Sequence, residues 1–236
     1  MATAAAAQVS RVSFWAKMTI GLSLFIVFAF AQFGLRGFVP VTQVPVIFHV
    51  HGVVMLGWLA LVTTQALLGN GSGLELHRRL GWASAVMLPT IAVLTSLTCF
   101  AGLRTGMFPP FFPPAYFLAL IHVSMLIFVM MVGGAVALRG RADWHKRLIL
   151  GSTILIMDPA LGRVLPMPFI MPWGEWLSMA IQLGMVALIV RHDRRTIGRV
   201  HPATVTVALA VVLAHVLVEL LAITPPWVAF AAQFAG

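Results

Sequence analysis

The stretch FHVHGVVMLGWLALVTTQALL, residues 48–68, carries no charged side chain, and its reading decides the fold class. As a helix rising about 1.5 Å per residue it reaches across the ~30 Å hydrocarbon core of a bilayer. In lipid a helix is also the form that satisfies its own backbone within one segment. Yet the stretch opens with His49 and His51, and imidazole is costly in hydrocarbon and unnecessary for spanning it. The segment therefore predicts a membrane crossing with a polar task.

The same pattern recurs along the chain. Of 236 residues, 61% are hydrophobic and 9% charged, outside the range of soluble globular domains. Apolar runs near 14–35, 45–69, 79–103, 114–138, 146–166, 173–190 and 202–223 predict seven transmembrane helices. They form one all-α integral membrane domain over 1–236, a polytopic helical bundle behind a head at 1–13. AFAQ at 29–32 offers a small-residue cleavage pattern, but the long run and the long polar head before it favour a span over a signal peptide.

Charge placement orients the bundle. Arg11, Lys17, Arg78, Arg79, Arg139, Arg141, Lys146, Arg147, Arg191, Arg194, Arg195 and Arg199 fall on one side, and only Arg36, Arg104 and Arg163 on the other. The positive-inside rule then predicts a cytoplasmic N-terminus and a periplasmic C-terminus in a bacterial inner membrane. It also accounts for the net charge of +9 with lipid headgroups, and no nucleic acid, as the partner. The single Cys99 leaves no intrachain disulfide and no cysteine-based metal centre. The outer loop TGMFPPFFPPAYF, 105–117, reads as an interfacial belt of aromatic and proline residues.

After the first span the chain reads as three hairpins with related inner turns, LHRRLGW (76–82), WHKRLIL (144–150) and RHDRRTIGRVHP (191–202). Their descending helices carry His51, His122 and Gln182 at similar depth. Spacing sorts the histidines further. Met55, Trp58 and Gln65 follow His51 on one helical stripe, whereas His49 faces nearly opposite and reads as a bystander. His51, His122 and His215 share an outer layer with Asp158 and Glu219, and Pro159 frees a carbonyl one turn earlier. His77 and His145 form an inner layer, each followed by two basic residues, while His192 and His201 flank the last inner loop.

Three readings follow. In the first, His51 with His122, and His77 with His145, supply paired axial ligands to b-type haem, with Arg78, Arg79, Lys146 and Arg147 near the inner propionates. This layout of paired histidines on spans 2/4 and 3/5 resembles the diheme cytochrome b561-type electron-transfer proteins over roughly residues 45–165. The resemblance implies electrons crossing the membrane from ascorbate or a quinol, with a quinone or another membrane redox partner. The HRRLG and WHKRL turns are also similar to uncharacterised bacterial multi-span proteins, which carries over no function.

In the second reading His51, His122 and His215 with Asp158 or Glu219 hold one zinc, non-haem iron or copper ion for a hydrolase or oxygenase. Met167 and Met171 would suit copper. In the third the chain is an accessory subunit of a membrane complex, and the polar groups are interhelical hydrogen bonds of about 1 kcal/mol each. For His77 and His145 the simplest alternative is interfacial anchoring. A retinal receptor is disfavoured, because Lys17 and Lys146 both lie at cytoplasmic ends.

Overall fold

The computed structural model describes residues 12–69 and 73–235, so Arg11 and most of the predicted head lie outside the described residues. The elements are α1 (Phe14–Leu35), α2 (Val46–Leu68), α3 (Leu74–Gly81), α4 (Ala83–Thr105), α5 (Pro114–Ala137) and α6 (Ala142–Leu155). They continue as α7 (Asp158–Val164), α8 (Met167–Ile170), α9 (Gly174–Ile197), α10 (Pro202–Ala222) and α11 (Pro225–Ala232). Among the described residues there is no strand.

Six helices are long and apolar enough to cross a membrane: α1, α2, the run Leu74–Thr105 formed by α3 and α4, α5, α9 and α10. This is a multi-pass membrane protein. Large apolar side chains such as Leu24, Phe28, Val53, Val86 and Leu209 stand exposed on these helices, as expected where lipid is the solvent.

The fifth predicted span, 146–166, is not one helix. It divides into α6 and α7 at Ile156 and Met157. Pro159 has no N–H to donate and its ring clashes with the carbonyl of Leu155, four residues back, so the first helix ends there. The amide of Gln182 on α9 donates to the freed Leu155 carbonyl at 3.4 Å. Hydropathy, summed over the run, is blind to such a break.

Five of the elements close a ring: α1 packs on α2, α2 on α4, α4 on α5, α5 on α6, and α6 on α1. Across it Trp58 of α2 and Phe128 of α5 meet edge to face at 5.4 Å, each only 1% exposed. Outside the ring, α10 packs on α5 and α6, α9 on α6 and α7, and α9 and α10 on each other. Gly151 of α6 permits the close crossing with α10. A Cβ there would meet Val207 Cγ2 at 2.5 Å and Met131 Cε at 2.7 Å. The short α11 lies against α5, where the Trp227 indole N–H donates to the Ala115 carbonyl at 2.9 Å.

Candidate functional site

The stripe on α2 forms as its spacing predicts. Positions seven apart return to nearly the same face of a helix, and His51, Trp58 and Gln65 make a column about 21 Å tall by helical rise. Each member carries a buried polar atom with no partner: His51 Nδ1, Trp58 Nε1 and Gln65 Oε1. An unpaired buried polar atom costs about 1–3 kcal/mol. All three share the stripe that Trp58 turns toward Phe128 across the ring. His49 is exposed and away from it.

At the end of the ring that carries the basic turns, the column reaches two histidines. Gln65 Nε2 donates to the His77 carbonyl at 3.0 Å, and the His77 ring Nδ1–H donates to the Gln65 carbonyl at 3.1 Å, clasping α3 to α2. On α6 the His145 Nδ1–H donates to the Ala135 carbonyl of α5 at 2.8 Å. A carbonyl only accepts, so Nδ1 carries the hydrogen in both rings, and the neutral imidazole keeps its lone pair on Nε2.

The two ring centres stand 6.1 Å apart with their planes at 83°. An ion bonded to one nitrogen of each ring at about 2.0–2.1 Å would lie about 3.2 Å from each centre, placing opposed ring centres about 6.4 Å apart. The observed separation is close to that distance.

The basic side chains expected beside this pair do not gather there. Arg78 and Arg79 are exposed, and Arg79 pairs with Glu75 at 2.5 Å along α3. Lys146 and Arg147 turn toward α1, with Lys146 Nζ 4.9 Å and Arg147 Cζ 5.0 Å from the Trp15 ring. Consecutive helical residues diverge by about 100°, so neighbours of His145 in sequence point elsewhere.

At the opposite end the predicted outer pair is not assembled. The His122 Nδ1–H donates to Leu118 of its own helix at 2.9 Å, and the Ser96 hydroxyl donates to Nε2 at 3.0 Å. No ring contact joins His122 to His51 among the described residues; its aromatic neighbour is Phe100 at 5.4 Å. His215 lies on α10, packed against α5 from outside the ring, so the predicted constellation of His51, His122 and His215 is separated. Equal depth in a membrane does not mean lateral proximity.

His215 instead belongs to a buried polar cluster built by α5, α7, α9 and α10. Its Nδ1–H donates to Glu175 Oε1 at 2.5 Å, and Tyr116 O–H donates to Glu175 Oε2 at 2.5 Å. Gln182 Oε1 faces His215 Nε2 at 3.2 Å. Asp158, at the start of α7, is buried beside them, and neither its Oδ1 nor Ser178 Oγ has a hydrogen-bond partner. Glu219 stands one turn beyond His215 and is half-buried.

Asp158, Glu175 and His215 each offer one ligand atom, all within 4.8 Å of one another. Ligands sharing a tetrahedral ion at bonds of about 2.0–2.1 Å lie about 3.3 Å apart. The 2.5 Å contact between Glu175 and His215 is therefore a hydrogen bond, and an ion would have to displace its proton. Glu175 is not among the expected site residues. The signal that finds it is the polar stripe Glu175, Ser178 and Gln182 along one face of α9.

The fold and sites define a class: a multi-pass helical membrane protein with an imidazole pair at one end of a helical ring and a carboxylate–imidazole cluster beside it. Compared with known family models, curated proteins and solved structures, the chain shows no significant match to any of them.

Proposed function

We propose that this chain is a bacterial inner-membrane electron-transfer protein that holds b-type haem between His77 and His145. On this reading α6 and α7 together make a broken seventh crossing, and the basic turns place the N-terminus in the cytoplasm and the C-terminus in the periplasm. The observation that carries the proposal is the neighbouring pair itself: ring centres 6.1 Å apart and both Nδ1 atoms tied to carbonyls.

The residues fit the group. The imidazoles of His77 and His145, from different elements, would hold one haem iron between them. Their Nδ1–H donations to Gln65 and Ala135 are the outer hydrogen bonds that fix ring orientation and raise ligand basicity. The unpaired Oε1 of Gln65 would give such a group or its waters a polar partner beside His77. Bound haem supplies reversible one-electron transfer, and a membrane quinol is the donor class this location suits. His51 would serve a second haem only if His122 exchanged the Ser96 hydroxyl for iron.

The test is a reduced-minus-oxidised visible spectrum of protein expressed with a haem precursor. A Soret band in wild type, lost in His77→Ala and in His145→Ala but kept in His49→Ala, is expected. No Soret band in wild type, or one surviving in the His77→Ala, His145→Ala double variant, would overturn the proposal.

A second reading rests on the convergence of Asp158, Glu175 and His215, a donor set that suits zinc, non-haem iron or copper. A stoichiometric metal without Soret absorption, lost in Asp158→Asn, would favour it.

A further inference from the structure

We propose that the pocket between α1, α6, α9 and α10 binds the phosphate of an anionic headgroup. The site is independent of the haem reading. It is a cavity of about 540 Å³ whose lining includes Trp15, Asp143, Lys146, Arg147, His192 and Arg199. It opens at the end of the bundle where the basic turns lie.

Charge accounting inside the pocket identifies the ligand class. Arg147 is already committed, its guanidinium donating to Asp193 at 2.5 and 3.4 Å and to the Asp143 carbonyl at 2.8 Å. Asp143 in turn accepts from His201 Nε2–H at 2.7 Å. His201 Nδ1 accepts the Ala203 N–H at 3.1 Å, which places the ring hydrogen on Nε2 and leaves the imidazole neutral. Lys146 and Arg199 remain, and among the described residues neither has a carboxylate within 4.0 Å. Asp143 offsets one of them. The pocket therefore presents one cation in excess, matching a monoanion such as a phosphodiester.

Its walls are preorganised. Lys146 is held over Trp15, and His192 stacks on Phe14 with ring centres 4.0 Å apart and planes at 6°. Aromatic and basic side chains at this level are what a headgroup meets at a membrane surface, and basic pockets between transmembrane helices take anionic headgroups. A soluble phosphate ester presents the same chemistry, so the experiment has to separate the two sources.

Detergent-purified protein is titrated with phosphatidylglycerol and, separately, phosphatidylcholine, and bound lipid is read by native mass spectrometry. A second arm follows thermal unfolding in increasing inorganic phosphate. Lys146→Gln and Arg199→Gln remove the two uncommitted cations, and Arg194→Gln removes an exposed arginine outside the pocket.

Wild type should retain phosphatidylglycerol over phosphatidylcholine, and each pocket variant should lower that retention by more than the roughly fivefold effect of one basic residue at a general anionic surface. Arg194→Gln should lower it by no more than that general effect. If inorganic phosphate stabilises wild type but neither pocket variant, while lipid retention is equal in all, the site stands with a soluble phosphate as its source. Wild-type behaviour of both pocket variants toward both probes would overturn the proposal. So would an equal loss in Arg194→Gln, which would reduce the effect to general surface charge.

Discussion

Asp193 gives the sharpest stability prediction, because one carboxylate joins three helices. It is fully buried on α9 and accepts from the Arg147 guanidinium of α6 at 2.5 and 3.4 Å. It also accepts the His201 N–H at 3.1 Å and the Thr204 hydroxyl at 2.6 Å, both at the start of α10. Asp193→Ala strands the guanidinium of Arg147, which is 3% exposed, and leaves two further donors unpaired. Breaking a buried pair by removing one partner costs about 3–5 kcal/mol. At about 2–4 °C per kcal/mol for a chain of this size, the unfolding midpoint should fall by about 6–20 °C. The double variant Arg147→Met, Asp193→Leu removes the stranded charge as well, and should recover about half of the loss. Tryptophan fluorescence of detergent-solubilised protein during heating reads both effects. An Asp193→Ala midpoint within about 2 °C of wild type, or a double variant no more stable than Asp193→Ala, would refute the reasoning.

Three further outcomes are expected. Gly151→Ala puts a methyl against Val207 and Met131, and the forced shift should cost about 1–3 kcal/mol in the same thermal assay. Glu175→Gln keeps the shape of the buried cluster but withdraws the carboxylate from His215 and Tyr116; a loss of about 1.5–3 kcal/mol is expected, larger than that of Tyr116→Phe. Asp143 lies ahead of the apolar stretch, and its hydrogen bond from His201 holds its carboxyl below the usual carboxylate range. A lowered folded value stabilises above the unfolded value of about 3.9 and is lost as pH falls through the folded one. Wild type should thus exceed Asp143→Asn in unfolding midpoint at neutral pH, and the difference should close below about pH 4.

Much of this architecture is written in local pattern. Length and apolarity identify the six long helices, and the seven-residue spacing of His51, Trp58 and Gln65 marks the column whose polar atoms lack partners. What hydropathy omits is direction and lateral position. Pro159 was visible, but its effect on the helix ahead of it depends on backbone hydrogen bonding that a composition window does not count. His51, His122 and His215 share a depth, yet α5 stands between the ring interior and α10, so they do not form one site. Lys146 and Arg147 adjoin His145 in sequence and leave it in space, because each step along the helix turns the side chain onto another face. The role of Glu175 is not legible in the sequence, because its partners, Tyr116 and His215, come from segments 59 and 40 residues away.

The most direct measurement of the central claim is electron paramagnetic resonance on the ferric protein in membranes. If His77 and His145 hold one haem iron with their planes near the 83° seen between them, the ferric form would give a highly anisotropic low-spin signal in place of the rhombic signal of parallel planes. That signal should be present in wild type and His49→Ala and absent in His77→Ala and His145→Ala. A low-spin signal unchanged by loss of either histidine, or none in wild type expressed with ample haem precursor, would contradict the account.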